Sequence, residues 1–220
     1  QMCIRDRAGS LSISDAAKLL RIRGRAMQNA VPVGIGAMAA ILGLNYSDLV
    51  DIAKTAAKNE VCQAANDNDP SQVVVSGHKG AVERAIEIAK AAGAKRAVML
   101  PVSAPFHSEL MAPASLEMKD ALSTIPIQEP FIPLVSNVKA LAVTLPDEIR
   151  SLLVEQVTGV VRWRESVEWM ARNGVTEMWE IGAGRALSGM VRRINSSISC
   201  VSISKPEEVK TAIISQNEGV

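Results

Sequence analysis

The chain has 220 residues, a formal net charge of +1 and 48% hydrophobic residues. That length suffices for one sizeable core or two small subdomains sharing one, and the near-neutral balance argues against a nucleic-acid partner, because phosphate binding needs a basic surplus. Aromatic residues make up only 3%, which fits aliphatic helices packed on a sheet better than an aromatic-rich β-sandwich. The three cysteines, Cys3, Cys62 and Cys200, are odd in number and stand in no metal-ligand spacing, so a reduced cytoplasmic protein without a metal is expected. No apolar run reaches the roughly 18 residues of a membrane span. No basic start leads into an apolar stretch, so neither a membrane nor a secretory signal is indicated.

Residues 1–7 (QMCIRDR) carry no periodicity. They are read as a non-native leader and set outside the fold. Ser14 and Asp15 offer an N-cap for a helix over 16–30, which Pro32 ends. From Ala37 to Val102 the pattern predicts a compact β-α-β-β-α-β unit. Its strands fall at 38–42, 61–65, 72–76 and 97–102, and its helices at 48–58, capped by Ser47, and 78–92, stopped by Gly93. The run Asn66-Asp67-Asn68-Asp69-Pro70 is taken as a turn. Beyond it, helices are expected over 114–124, 146–157, 165–172, 186–194 and 206–215, and strands over 132–135, 175–181 and 199–203. Alternating strands and helices imply a mainly parallel sheet covered on both faces.

His107 sits in Val102-Ser103-Ala104-Pro105-Phe106-His107-Ser108, on a proline-stiffened loop after a strand. Loops at strand ends often carry catalytic groups, and an imidazole can act as a base near neutral pH. A hydrogen-bonded structural histidine fits the same pattern. His78 begins a helix, where the dipole disfavours a charged ring, and reads as structural or solvent-exposed. Arg23 and Met27 are four apart and share one helix face. They could line a pocket with an anionic anchor and an apolar wall, or form an ordinary solvated face. Gly182-Ala183-Gly184 precedes a helix but reads as a tight turn, being too short for a dinucleotide fingerprint. No Gly-x-Ser-x-Gly elbow occurs in the 220 residues. Pattern alone therefore stops at a cytosolic α/β protein.

Arg23-Gly24-Arg25-Ala26-Met27-Gln28 with Val31-Pro32, and Gly36 to Leu44, resemble the arginine helix and the first small-subdomain strand of one family, the malonyl-CoA:acyl carrier protein transacylases. Gln72 to Gly77, Ala92 to Arg96, Pro101 to His107, Val161-Arg162-Trp163 and Glu180 to Gly184 are similar to further blocks. The likeness runs from about Ser10 to near Ile214.

The resemblance implies an α/β fold: a partial α/β-hydrolase-like parallel-sheet body, 8–32 and 101–220, with an inserted ferredoxin-like small subdomain, 33–100. It implies that His107 is the base of a Ser-His pair, oriented by the backbone carbonyl of Gln156. Arg23 would grip the malonyl carboxylate, and Met27 and Phe106 would wall the acyl pocket. The substrates would be malonyl-CoA and the phosphopantetheine thiol of acyl carrier protein, with no cofactor, in a protein that is monomeric when complete. Members place their nucleophile on a Gly-His-Ser-x-Gly elbow upstream of the arginine helix. The chain is therefore expected to be an N-terminally truncated, inactive piece that folds poorly alone. Residues 67–71 depart from the commoner Asn-Ser-Pro-Gly type of turn. An acyltransferase domain of a polyketide or fatty-acid megasynthase, or a non-catalytic carrier-protein binding module, are the alternatives.

Overall fold

The computed structural model describes residues 2–210. These divide into two compact units, one through Trp163 and one from Arg164. The sequence-based boundaries at 32/33 and 100/101 both fall inside the first unit.

The first unit opens with helix α1 (Met2–Arg7). This corrects the reading of residues 1–7 as lying outside the fold. Met2 and Arg5, three apart, share the buried side of α1. The following turn closes on Arg5, whose carbonyl accepts from the amides of Ser10 and Leu11. Met2 then joins Ala8 and Leu11 in the core. Six residues are too few to display a helical period in sequence. Helix α2 (Ile13–Asn29) starts earlier than predicted because Ser12, not Ser14, is its cap, with its hydroxyl accepting from the Asp15 amide at 3.0 Å.

Next come β1 (Gly36–Leu42), α3 (Tyr46–Ala57), β2 (Cys62–Asp69), β3 (Gln72–His78), α4 (Lys79–Ala91) and β4 (Arg96–Met99). Strand order β4-β1-β3-β2 with antiparallel neighbours is the split β-α-β connectivity. Asn66–Asp69 belong to β2 rather than to a turn. Two register shifts along β2 absorb the polar run, and the turn itself needs only Pro70 and Ser71. The Asp69 carboxylate closes it, accepting from both the amide and the hydroxyl of Ser71 at 2.9 Å.

Alternation along these strands gives the sheet two different faces. Ala39 and Ile41 of β1 and Val73 and Val75 of β3 point to the helix side, where Leu49, Ile52, Val82 and Ala85 cover them. Met38, Ala65 and Val74 point the other way and meet Leu100 and Phe106. The sheet thus presents one helix-covered face and one face for the loop carrying Phe106 and His107.

The unit continues with a 3-10 turn (Glu109–Met111), α5 (Ala112–Ser123), β5 (Leu134–Ser136), β6 (Leu141–Val143), α6 (Pro146–Glu155) and β7 (Val161–Arg162). Fully buried Leu19, Met111, Met118, Leu122, Ile149 and Val157 centre its second core. Each such side chain contributes about 1.5–3 kcal/mol.

A mainly parallel sheet is not what the described residues form. In the first unit only β7 runs parallel, beside β2 at Asn66 and Asp67, while β5 and β6 make an antiparallel hairpin. The short β6 and β7 carry too little alternation to be read from sequence.

The second unit contains the rest of α7 (Trp163–Arg172), then β8 (Glu177–Ile181), α8 (Ala186–Ile194) and β9 (Ser199–Ile203). Strands β8 and β9 pair in parallel, as a β-α-β unit does. The predicted helix 206–215 passes out of the described residues after 210. Among the described residues no helix is long and apolar enough to cross a membrane.

Candidate active site

Five residues singled out from sequence, Arg23, Met27, Phe106, His107 and Gln156, all lie in the first unit. His107 sits in the left-handed region, at φ 57°, where a non-glycine residue costs about 1–2 kcal/mol. The loop is pinned on several sides. Pro105 lies so close to Gly36 that a Cβ there would stand 2.4 Å from its Cγ. Phe106 packs against both the open sheet face and the second core. The Ser108 hydroxyl donates to the Pro105 carbonyl at 2.7 Å, and Ser103 donates to Gln28 of α2 at 3.0 Å.

His107 Nδ1 lies 3.1 Å from the carbonyl oxygen of Gln156 and 3.0 Å from that of Gly159. Carbonyls only accept, so Nδ1 carries the proton and Nε2 of the neutral ring keeps a free lone pair. Gln156 is the C-cap of α6. Carbonyls in the last turn of a helix have no partner of their own and form the negative end of its dipole. The helix end therefore offers an acceptor and favours a positive charge on the ring. Gln156 is buried, and its side-chain amide donates to Gly159 O at 3.3 Å. A Cβ on Gly159 would fall 2.9 Å from the Glu155 carbonyl oxygen, so glycine is what lets the chain curl back under the imidazole.

Arg23 is half-buried on α2, and burial lowers its guanidinium from the ordinary value. Among the described residues no acceptor is paired with it. Its charge nevertheless reaches His107. Burial, and then the Arg23 cation, hold the imidazole below its usual 6.5, while the Gln156 and Gly159 carbonyls pull the other way. Arg23 and His107 therefore share one neighbourhood. Met27, one turn along α2, is buried in the same core against which Phe106 packs.

His78 takes the opposite tautomer. Its Nδ1 accepts from the Val61 amide at 2.9 Å, so Nε2 holds the proton of the neutral ring, a structural role. In the second unit the Gly182–Gly184 turn leads to α8, whose first amides are already served. Glu180 accepts from Leu187 N–H at 3.0 Å and Ser188 N–H at 2.8 Å. Burial opposes ionisation of Glu180, but the Ser188 hydroxyl and these amides outweigh it and hold the carboxyl low. An external anion would compete with a resident carboxylate there. Among the described residues no cluster of His, Cys, Asp or Glu could hold a metal.

The Gly159 carbonyl and two contacts of the histidine loop, Gln28 with Ser103 and Gln63 with Glu109, were not legible beforehand. A backbone acceptor leaves no side-chain signature. The only available hint was a glycine three residues beyond Gln156.

The depressed imidazole sets a first expectation. Arg23→Ala removes a positive neighbour, so the His107 pKa should rise towards 6.5. Below 6.5 the unfolded chain binds more protons at this ring than the folded one. The stabilisation from His107 is thus complete above that value and is lost as pH falls through the folded pKa. Ring NMR on a chain with only two histidines can follow it. An unchanged or lowered His107 titration in the variant would contradict the coupling.

Residues 6–183 match the family described as acyl transferase domain. The malonyl CoA-acyl carrier protein transacylase of Escherichia coli (strain K12) is 43% identical over 206 residues, covering 94% of this chain and 67% of the relative. The crystal structure of acyl-carrier-protein-S-malonyltransferase from Bartonella henselae superposes with a TM-score of 0.93 at 50% identity, covering 98% of this chain and 68% of that one. A malonyl-transacylase solved in complex with its type II polyketide acyl carrier protein gives a TM-score of 0.92 at 40% identity, covering 94% of this chain and 67% of that one. The chain thus spans about two thirds of the length of these relatives.

Proposed function

The chain belongs to the malonyl-CoA:acyl carrier protein transacylase family of acyltransferases, and from that membership we propose that it supplies the base and the carboxylate anchor for moving a malonyl group from coenzyme A to the phosphopantetheine thiol of acyl carrier protein in fatty acid synthesis. The observation that carries this reading is His107 Nδ1 on the Gln156 and Gly159 carbonyls with Arg23 close enough to act on the ring.

Nε2 removes the proton of a serine hydroxyl as its oxygen bonds to the thioester carbonyl carbon. The C–S bond breaks, and the coenzyme A sulfur takes the proton back from the imidazolium. In the second half Nε2 takes the proton of the carrier thiol, whose sulfur attacks the serine ester. The C–O bond breaks and the hydroxyl is reprotonated. Tautomer and helix end both suit this alternation, since the ring starts with a free Nε2 and gains a charge that the C-cap carbonyls favour. Arg23 pairs with the free malonyl carboxylate through its planar fork, with Met27 and Phe106 lining the acyl pocket. No cofactor takes part in this scheme.

The scheme places the split β-α-β unit as a ferredoxin-like subdomain within an α/β-hydrolase-like body. It takes the serine from an elbow upstream of Arg23, because none of these 220 residues forms a Gly-x-Ser-x-Gly sequence. The 220-residue chain by itself is then expected to be inactive. Joined to the part of the Escherichia coli relative that it does not cover, it should form a malonyl adduct from malonyl-CoA and pass it to holo acyl carrier protein. Mass spectrometry of both proteins reads the two halves. Adduct formation by the unjoined chain, or none by the joined one, would overturn the assignment.

A further inference from the structure

The 3-10 turn after His107 lacks its own cap. Ser108 is the residue before it; its hydroxyl donates to the Pro105 carbonyl and accepts no capping bond from the turn's amides. The first amide of the turn, on Glu109, is instead taken by a side chain from another element. Gln63 of β2 accepts from Glu109 N–H through Oε1 at 2.8 Å. Its Nε2 donates to Glu109 Oε1 at 2.9 Å. The two bonds close a ring between residues 46 positions apart in sequence.

The location gives this ring leverage. Glu109 lies two residues beyond His107, whose left-handed backbone must be held by its surroundings. Of the turn's internal bonds, Met111 N–H donates to Ser108 O at 3.0 Å and Ala112 N–H donates to Glu109 O, so the second ends on the residue that Gln63 grips. On the other side of His107 the loop is anchored by Pro105 against Gly36 and by Ser103 on Gln28. Among the described residues, Gln63 supplies the side-chain hydrogen bonds that tie residues 108–111 to another element.

We propose that Gln63 is a positioning residue for His107, holding the 3-10 turn through its paired hydrogen bonds to Glu109 so that the ring stays on the Gln156 and Gly159 carbonyls. The catalytic meaning of this rests on the transfer reading above, but the positioning itself does not.

The two histidines make a clean test, since they hold opposite tautomers in the neutral state. Ring 15N shifts are recorded at a pH well above the imidazole range on the chain joined to the part of the Escherichia coli relative that it does not cover, with labelled histidine confined to the 220 residues by segmental ligation. The unsubstituted chain shows one Nδ1–H ring (His107) and one Nε2–H ring (His78). In Gln63→Ala the His107 signature collapses to a tautomer average, while the His78 signature persists and reports an intact small sheet. Gln63→Glu does the same, because it sets two carboxylates face to face. Combining Gln63→Glu with Glu109→Gln reverses the side-chain bond and leaves the backbone amide donating to residue 63, so both bonds are kept and the Nδ1–H signature returns. A His107 pattern unchanged in Gln63→Ala overturns the proposal. So does a double variant that keeps the His78 signature but fails to restore that of His107. If Gln63→Ala also loses the His78 signature, the double variant alone decides. Ring shifts report where the imidazole sits and not whether it transfers protons, so this proposal and the transfer reading fail separately.

Discussion

Replacing His107 by alanine in the completed enzyme should lower malonyl transfer by about 10³-fold, the range expected when a positioned general base is lost. The loss should fall mainly on kcat, because the imidazole acts on the serine hydroxyl and the carrier thiol rather than on the malonyl carboxylate. Gln156→Ala makes the informative contrast. The atom that touches the ring is the Gln156 backbone oxygen, which alanine keeps, and the Gly159 carbonyl shares the same Nδ1 proton. Its effect should therefore stay within about tenfold, reflecting only the buried side chain and its bond to Gly159 O. Steady-state rates with saturating carrier protein measure both. A Gln156→Ala loss as large as that of His107→Ala would mean that the side chain, not the helix end, orients the base.

Arg23→Ala should change which acyl group moves. A malonyl carboxylate paired with a half-buried guanidinium is worth about 3–4 kcal/mol, so its loss should reduce kcat/KM for malonyl-CoA by about 10²- to 10³-fold. Acetyl-CoA brings no carboxylate. In the unsubstituted protein it would cover Arg23 and leave the cation unpaired, since no acceptor among the described residues is paired with it. Alanine removes that cost, so acetyl transfer should hold or rise. Competition between the two thioesters, scored as products on the carrier protein, gives the ratio directly. Equal losses for both acyl groups would take Arg23 out of the recognition role. Arg23→Lys keeps the charge but not the planar fork, and should recover only part of the malonyl preference.

Both results rest on two residues that were visible in the sequence for different reasons. His107 stood out because prolines bracket it on a loop after a strand. Arg23 stood out only through resemblance, since an arginine beside a methionine on one helix face is commonly a solvated pattern. What could not be read was what those side chains face. The Gly159 carbonyl, the C-cap of α6 and the Gln63–Glu109 ring are contacts between segments tens of residues apart, and no local spacing encodes them. The polar run Asn66–Asp69 misled for a related reason. Turn-forming residues signal a turn when the backbone has no better partner, but here β3 supplies partners for Asn66, Asp67 and Asp69.

The sequence by itself therefore determined the local elements: the β-α-β-β-α-β order, the amphipathic helices and the stiff loop that carries His107. These follow from hydrophobic period, turn chemistry and caps within a few neighbouring residues. Only the tertiary structure decided the tautomer of each histidine, the nearness of Arg23 to His107 and the parallel seating of β7 beside β2. Those depend on which distant carbonyls, charges and strand edges meet after packing, a property of the folded chain as a whole.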